Sequence, residues 1–210
     1  MKKNCTEVVF VLDRSGSMCG LEKDTIGGLN SLINKQKKQD GEVLVSTVLF
    51  NDSSVVIHDR KPIDEVRLMT NKDYEVYGCT ALLDALGSSI RHIGNIHKYA
   101  RVEDVPEHTM FVIITDGMEN ASRYYSKEKV KSMIEYEKEK YGWEFLFLAA
   151  NMDAIDTASQ YGIDKDHAVN YQCDSVGTRL NYEVLDEAIQ CICSGVPLSK
   201  SWKSKIEKCK

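Results

Sequence analysis

Three stretches of the chain, EVVFVLD (7–13), HTMFVIITD (108–116) and WEFLFLAA (143–150), each hold an unbroken run of apolar residues. A strand with one wet face alternates apolar and polar residues. A strand that is apolar at consecutive positions is covered on both faces, as in a parallel sheet held between two layers of helix. The segments between these runs supply such helices. Residues 21–39 place Leu21, Ile26, Leu29, Leu32 and Ile33 on one face, with lysines crowding the far end, where cations suit the helix dipole. Residues 81–96 place Leu82, Leu83, Leu86, Ile90 and Ile93 at helical spacing, and 126–140 is a charged amphipathic helix around Val130, Met133 and Ile134. A final helix, 178–193, runs through Leu180, Val184, Leu185, Ala188 and Ile192.

The remaining strands are 42–50 and 55–60, joined by the turn NDSS as a hairpin, and a short last strand at 167–171. A short helix within 151–162 ends at Gly162, and 60–78 reads as irregular. The order β-α-β-β-α-β-α-β-α-β-α predicts an α/β fold. It is a doubly wound, mostly parallel six-stranded sheet of order 3-2-1-4-5-6, with one antiparallel edge strand and helices on both faces. Residues 1–195 are read as one domain, and 196–210, VPLSKSWKSKIEKCK, as a basic tail that is either a short helix or mobile. Gly27 and Gly28 cost the first helix about 1 kcal/mol each, a cost expected to be offset by close packing on the sheet.

Bulk properties exclude several classes. A chain of 210 residues can bury roughly two-thirds of its extended surface and build a real core. Its net charge of -5 argues against nucleic acid or an anionic membrane as the main partner. No run approaches the roughly 18 apolar residues of a membrane span. The opening MKKNCTEVVFVLD imitates a signal peptide, but its apolar run is short and bounded by Glu7 and Asp13, so a strand and a cytoplasmic location are expected. Cys5, Cys19, Cys79, Cys173, Cys191, Cys193 and Cys209 show no C-x-x-C spacing and no nearby histidine. Neither a zinc site nor a disulfide framework is expected of them, and they are read as reduced thiols.

The polar residues that follow the strands carry the chemistry. Asp13 ends the first apolar run and is followed by Ser15 and Ser17, and Asp116 ends the fourth strand in ITDG. In the predicted strand order these two ends are neighbours at the switch point, where open α/β sheets place their working loops. Thr80, in GCTALL, sits just before a strong helix, so it is read both as an N-cap and as a residue able to reach the same crevice. Two aspartates and three hydroxyls form an all-oxygen set. Such a set suits Mg²⁺, Mn²⁺ or Ca²⁺ rather than zinc, and leaves the ion an electrophilic face for an outside carboxylate. Taken alone, Ser15 and Ser17 read equally well as a turn and helix cap.

D-x-S-x-S after the first strand, a threonine in G-x-T-A before a helix, and T-D-G after the fourth strand together resemble a von Willebrand factor type A domain over roughly residues 5–195. That resemblance implies a metal ion-dependent adhesion site made of Asp13, Ser15, Ser17, Thr80 and Asp116, with no departure from the pattern. It implies a divalent cation, Mg²⁺ by default, and a protein partner that offers an exposed Asp or Glu. The chain looks most like the stand-alone intracellular bacterial members, some of which act beside AAA-type ATPases or in stress-resistance systems.

Near the site, Glu119 and Asn120 read first as a solvated loop, with tuning of the site or contact with a partner as the alternative, and Arg14 as a surface residue, with steering of an acidic ligand as its alternative; Asp84 lies in the first turn of its helix. Trp143 and the Tyr124–Tyr125 pair read as packing, and the five histidines carry no assigned role. Two other functions stay open. One is a metal-dependent phosphoryl-transfer or hydrolytic enzyme using the same site. It is disfavoured because Ser15 stands where an acid–nucleophile pair needs a second Asp, and because no G-x-S-x-G or G-x-x-x-x-G-K-[ST] motif occurs. The other is a scaffold that binds through its basic tail.

Overall fold

The computed structural model describes residues 1–208; Cys209 and Lys210, the end of the predicted tail, lie outside the described residues. The strands are β1 (Lys2–Asp13), β2 (Glu42–Phe50), β3 (Ser54–Pro62), β4 (Pro106–Thr115), β5 (Glu144–Ala149) and β6 (Ala168–Asn170). Among the described residues they form one six-stranded sheet in the order β3-β2-β1-β4-β5-β6. The β2–β3 pair is antiparallel and every other pairing is parallel. This is the predicted doubly wound topology with its single antiparallel edge.

The helices are α1 (Glu22–Gln36), α2 (Leu82–Tyr99), α3 (Lys127–Tyr141), α4 (Ala154–Gln160), α5 (Ser175–Cys193) and the short α6 (Ser204–Glu207). The pleat divides the apolar runs between two cores. Val8, Phe10 and Leu12 of β1, with Met110, Val112 and Ile114 of β4, face the layer of α1 and α5. Val9 and Val11, with Phe111 and Ile113, face α2, α3 and α4. Each such side chain, fully buried, contributes about 1.5–3 kcal/mol, which is why the central strands tolerate no polar alternation.

Several boundaries differ from the sequence reading for local reasons. β1 starts at Lys2 rather than residue 7, because the polar residues at its start find cross-strand partners: Lys2 pairs with Glu42 and Lys3 with Glu107, both at 2.6 Å. α5 starts three residues earlier than 178, because the Asp174 carboxylate accepts the Gly177 N–H at 2.7 Å and caps it. Within the described part of the tail, Lys200–Glu207 is short helix: Trp202 and Ile206 join the α1/α5 core, and Lys203 donates to the carbonyls of Lys165 and Ala168.

The two glycines of α1 differ from each other, and the sheet is not what either packs on. A Cβ on Gly28 would lie 2.1 Å from Cδ2 of Tyr182 on α5, so Gly28 lets the two helices close on each other. Gly27 is exposed and a Cβ there meets nothing within 4 Å. Gly28→Ala is therefore expected to destabilise by about 1–3 kcal/mol through overpacking. Gly27→Ala should stabilise by about 0.5–1 kcal/mol. Urea midpoints of the two variants should fall on opposite sides of wild type.

Candidate metal centre

β1 and β4 lie side by side, with Leu12 opposite Ile114, so Asp13 at the end of one strand adjoins Thr115 and Asp116 at the end of the other. The Thr115 hydroxyl donates to Oδ2 of Asp13 at 2.6 Å, the Ser15 N–H donates to its Oδ1 at 2.7 Å, and the buried Tyr74 hydroxyl donates to its main-chain carbonyl. On the other side, Ser17 Oγ donates to Asp116 Oδ1 at 2.5 Å and lies 3.0 Å from Ser15 Oγ. Cys173 Sγ donates to Asp116 Oδ2 at 3.3 Å.

Thr80 completes the group, and Gly117 shows where the hydroxyls meet. A Cβ on Gly117 would come within 2.8 Å of Thr80 Oγ1, 3.1 Å of Ser17 Oγ and 3.5 Å of Ser15 Oγ. Three hydroxyls thus converge on one point beside Asp116, and any side chain at position 117 would fill it. The structure brings together all five residues singled out from the sequence.

The alternative local roles of these hydroxyls are not what the structure shows. The N-cap of α1 is Leu21, with no side-chain cap, so neither serine caps that helix. Thr80 is not an N-cap either: α2 begins after Ala81, and its first N–H groups are met from elsewhere. Leu83 donates to Glu119 Oε2 at 2.9 Å and Asp84 donates to Ser122 Oγ at 3.0 Å. Glu119 and Asn120 are therefore not merely a solvated loop. The Asn120 side-chain oxygen accepts the Thr80 N–H at 2.9 Å while the Asn120 main-chain N–H donates to the Thr80 carbonyl at 3.0 Å. This clamp fixes the Thr80 backbone, and Glu119 takes over the helix cap. Asp84 in turn accepts the N–H groups of Arg123, Tyr124 and Tyr125 and holds the end of the same loop. Arg14 is buried rather than on the surface, with its guanidinium 5.5 Å from the Tyr77 ring.

The sequence offers Glu119 and Asn120 as rim residues able to tune the site, though a solvated loop is the first reading, and Thr115 only as part of T-D-G; it misses Tyr74 and Cys173, which carry no local signal. Asn120→Ala should loosen Thr80 and weaken divalent-ion binding by about 10–100-fold, the usual cost of removing an outer partner of a ligand. Calorimetric titration should show this, with an unfolding midpoint in EDTA close to wild type because Asn120 is exposed.

The electrostatics ask for a cation. Asp13 is 1% exposed and Asp116 2% exposed, and the side-chain partners named above are all neutral. Burial pushes the Asp13 carboxyl up, its bonds from Thr115 and Ser15 oppose that, and the Asp116 charge adds to the rise. Two buried carboxylates in one crevice cost several kcal/mol unless a positive charge sits with them. Among the described residues no group of three or more His, Cys, Asp or Glu side chains is placed to hold a metal ion. The donors here are two carboxylates and three hydroxyls, a composition that fits a hard divalent cation.

No family model matches the chain, and no curated protein matches it by sequence. Solved structures do match. The von Willebrand factor domain of the type V pili tip protein Mfa5 from Porphyromonas gingivalis superimposes with a TM-score of 0.63 at 10% identity, over 92% of this chain and 97% of that one. Proximal thread matrix protein 1 from the mussel byssus, in a structure with a zinc-occupied MIDAS motif, gives 0.60 at 15% identity over 90% of this chain and 47% of that one. The ArnB paralog VWA2 from Sulfolobus acidocaldarius gives 0.56 at 17% identity over 88% and 45%. The chain thus spans about half the length of two of these three. Among the described residues no helix is long and apolar enough to cross a membrane. Strand order, element order and these superpositions agree that the chain has the von Willebrand factor type A fold.

Proposed function

We propose that the chain is a metal-dependent protein-binding module. Asp13, Ser15, Ser17, Thr80 and Asp116 hold a divalent cation, Mg²⁺ as the working choice, and an exposed Asp or Glu of a partner protein completes its coordination. The observation that carries this reading is the convergence of three hydroxyls beside two buried carboxylates whose side-chain hydrogen-bond partners are all neutral. When bound there, the cation supplies a positive, incompletely screened face toward solvent. The chain's own contribution is positioning: the Asn120 clamp sets Thr80, Thr115 orients Asp13, and the exposed Ser17 marks the mouth of the crevice.

Binding is favoured over turnover by where four of the five histidines sit. The side chains of four histidines are engaged elsewhere: His58 with Thr47, His92 with Asp59, His97 with Glu7 and His167 with Glu144. Ser15 is held against Ser17, where a phosphotransfer site would need a second acid.

The test is binding of an immobilised peptide bearing one exposed Glu, against the same peptide with Gln. Capture of the Glu peptide that needs Mg²⁺, is abolished by EDTA and is lost in Ser17→Ala supports the proposal. Equal capture of both peptides, or capture indifferent to EDTA, refutes it. Mg²⁺-dependent hydrolysis of a generic phosphoester that disappears in Asp13→Asn would replace it with the enzyme reading.

A further inference from the structure

Arg14 is an arginine that the fold buries and leaves unpaired. It stands between Asp13 and Ser15 and is 8% exposed, whereas every other arginine of the chain is half-buried or exposed. A guanidinium is charged at any ordinary pH, and arginine is almost never buried without a counter-charge. Arg60, the next most buried, shows the usual solution: its Nε donates to the fully buried Glu7 carboxylate at 2.6 Å. Arg14 forms no ion pair among the described residues. Of its three side-chain nitrogens, Nε is buried without a hydrogen-bond partner, while Nη1 and Nη2, which also make no hydrogen bond, reach solvent.

The surroundings hold this charge in place rather than neutralise it. The guanidinium carbon lies 5.5 Å from the centre of the Tyr77 ring, within cation–π range. The Tyr77 N–H donates to the Arg14 carbonyl at 3.1 Å, and the Tyr77 carbonyl accepts from Asn51 Nδ2 at 3.1 Å. The Arg14 N–H donates to the Phe50 carbonyl at 2.7 Å, and the Gly16 N–H to the Gly78 carbonyl at 3.0 Å. Arginine and ring are thus fastened to the loop that delivers Thr80, three residues past Tyr77. Arg14 is one Cα step, about 3.8 Å, from both Asp13 and Ser15. A buried cation without a counter-ion weakens a fold, and a methionine here would avoid that cost. The chain keeps instead a planar fork of N–H donors that opens to solvent at the rim of the crevice.

We propose that Arg14 is a second anchor for the partner, gripping a second carboxylate on the same segment whose first carboxylate meets the metal ion. This rests on the metal-dependent reading above and narrows it: the partner segment carries two acidic residues close together, not one. A planar carboxylate matches the guanidinium fork edge to edge, and binding it gives the buried charge the counter-ion that the fold withholds.

The test is calorimetric titration in Mg²⁺ with a peptide bearing one Glu, and with the same peptide bearing a second Glu one, two or three positions away on either side. On wild type the best-spaced pair should bind about tenfold tighter or more than the single Glu, as a charge-assisted fork implies. In Arg14→Met the ratio of the two affinities should fall to near one. Arg14→Lys, which keeps the charge but not the fork, should retain only part of the gain. Tyr77→Ala, which removes the ring that holds the guanidinium and no charge, should also lose part of it, and serves if Arg14→Met folds poorly. A wild type indifferent to the second Glu at every spacing, with single-Glu binding still dependent on Mg²⁺, overturns this inference and leaves the metal reading standing. So does a gain that survives Arg14→Met and Tyr77→Ala undiminished. Loss of Mg²⁺-dependent binding for every peptide refutes the metal reading and this inference with it.

Discussion

Asp116→Asn is expected to reverse the order of stability between metal-free and metal-loaded protein. In EDTA the variant should unfold at or above the wild-type midpoint. The substitution removes one of two buried carboxylates whose charges oppose each other, while the amide oxygen still accepts from Ser17. With Mg²⁺ at about 100 times Kd, wild type should gain about 2.7 kcal/mol. For a domain of this size that is a rise of roughly 5–10 °C in midpoint. The variant should gain little, because an amide offers a neutral donor where the ion needs a charged one. Thermal unfolding in EDTA and in Mg²⁺, on both proteins, gives the four midpoints. An equal rise in both proteins would place ion binding outside the crevice.

Trp202→Ala is expected to have the largest effect on stability away from the site, about 3–5 kcal/mol. The indole is buried in the α1/α5 core, and its Nε1–H donates to the Asp166 carbonyl at 2.8 Å. Truncation leaves both a cavity and an unmet carbonyl. A urea midpoint near wild type would mean that the end of the chain packs only loosely on the sheet. The Mg²⁺-dependent gain should persist in this variant, because Trp202 touches none of the five oxygen donors.

The sheet was legible because its information is local. Runs such as EVVFVLD and HTMFVIITD declare burial on both faces, and alternation with amphipathic helices leaves few topologies open. Part of the candidate site was legible for the same reason: Asp13 and Asp116 close two strands that the sheet order makes neighbours, while Ser15, Ser17 and Thr80 were singled out by the D-x-S-x-S and G-x-T-A patterns rather than by any helix they open. What escaped was long-range pairing that leaves no periodic trace. Thr80 looked like a helix cap because the residue that takes over the cap, Glu119, lies 36 positions from Leu83. The Cys173 thiol meets Asp116 across 57 positions, and the Tyr74 hydroxyl meets the Asp13 carbonyl across 61. Gly28 looked like a contact with the sheet, since nothing near it in the chain names Tyr182 as the side chain that fills the space. Trp202 sat in a lysine-rich stretch with no clear apolar periodicity, so its burial was invisible in the pattern.

The most direct test of the account is a Mn²⁺ titration read by electron paramagnetic resonance, on wild type, Ser17→Ala and Asp116→Asn, followed by addition of the Glu peptide. The account predicts a single bound ion per wild-type chain, greatly weakened binding in both variants, and loss of one bound water from the wild-type ion when the Glu peptide, but not the Gln peptide, is added. A chain that binds no Mn²⁺ at millimolar concentration, or that binds it equally well without Asp116, would contradict it.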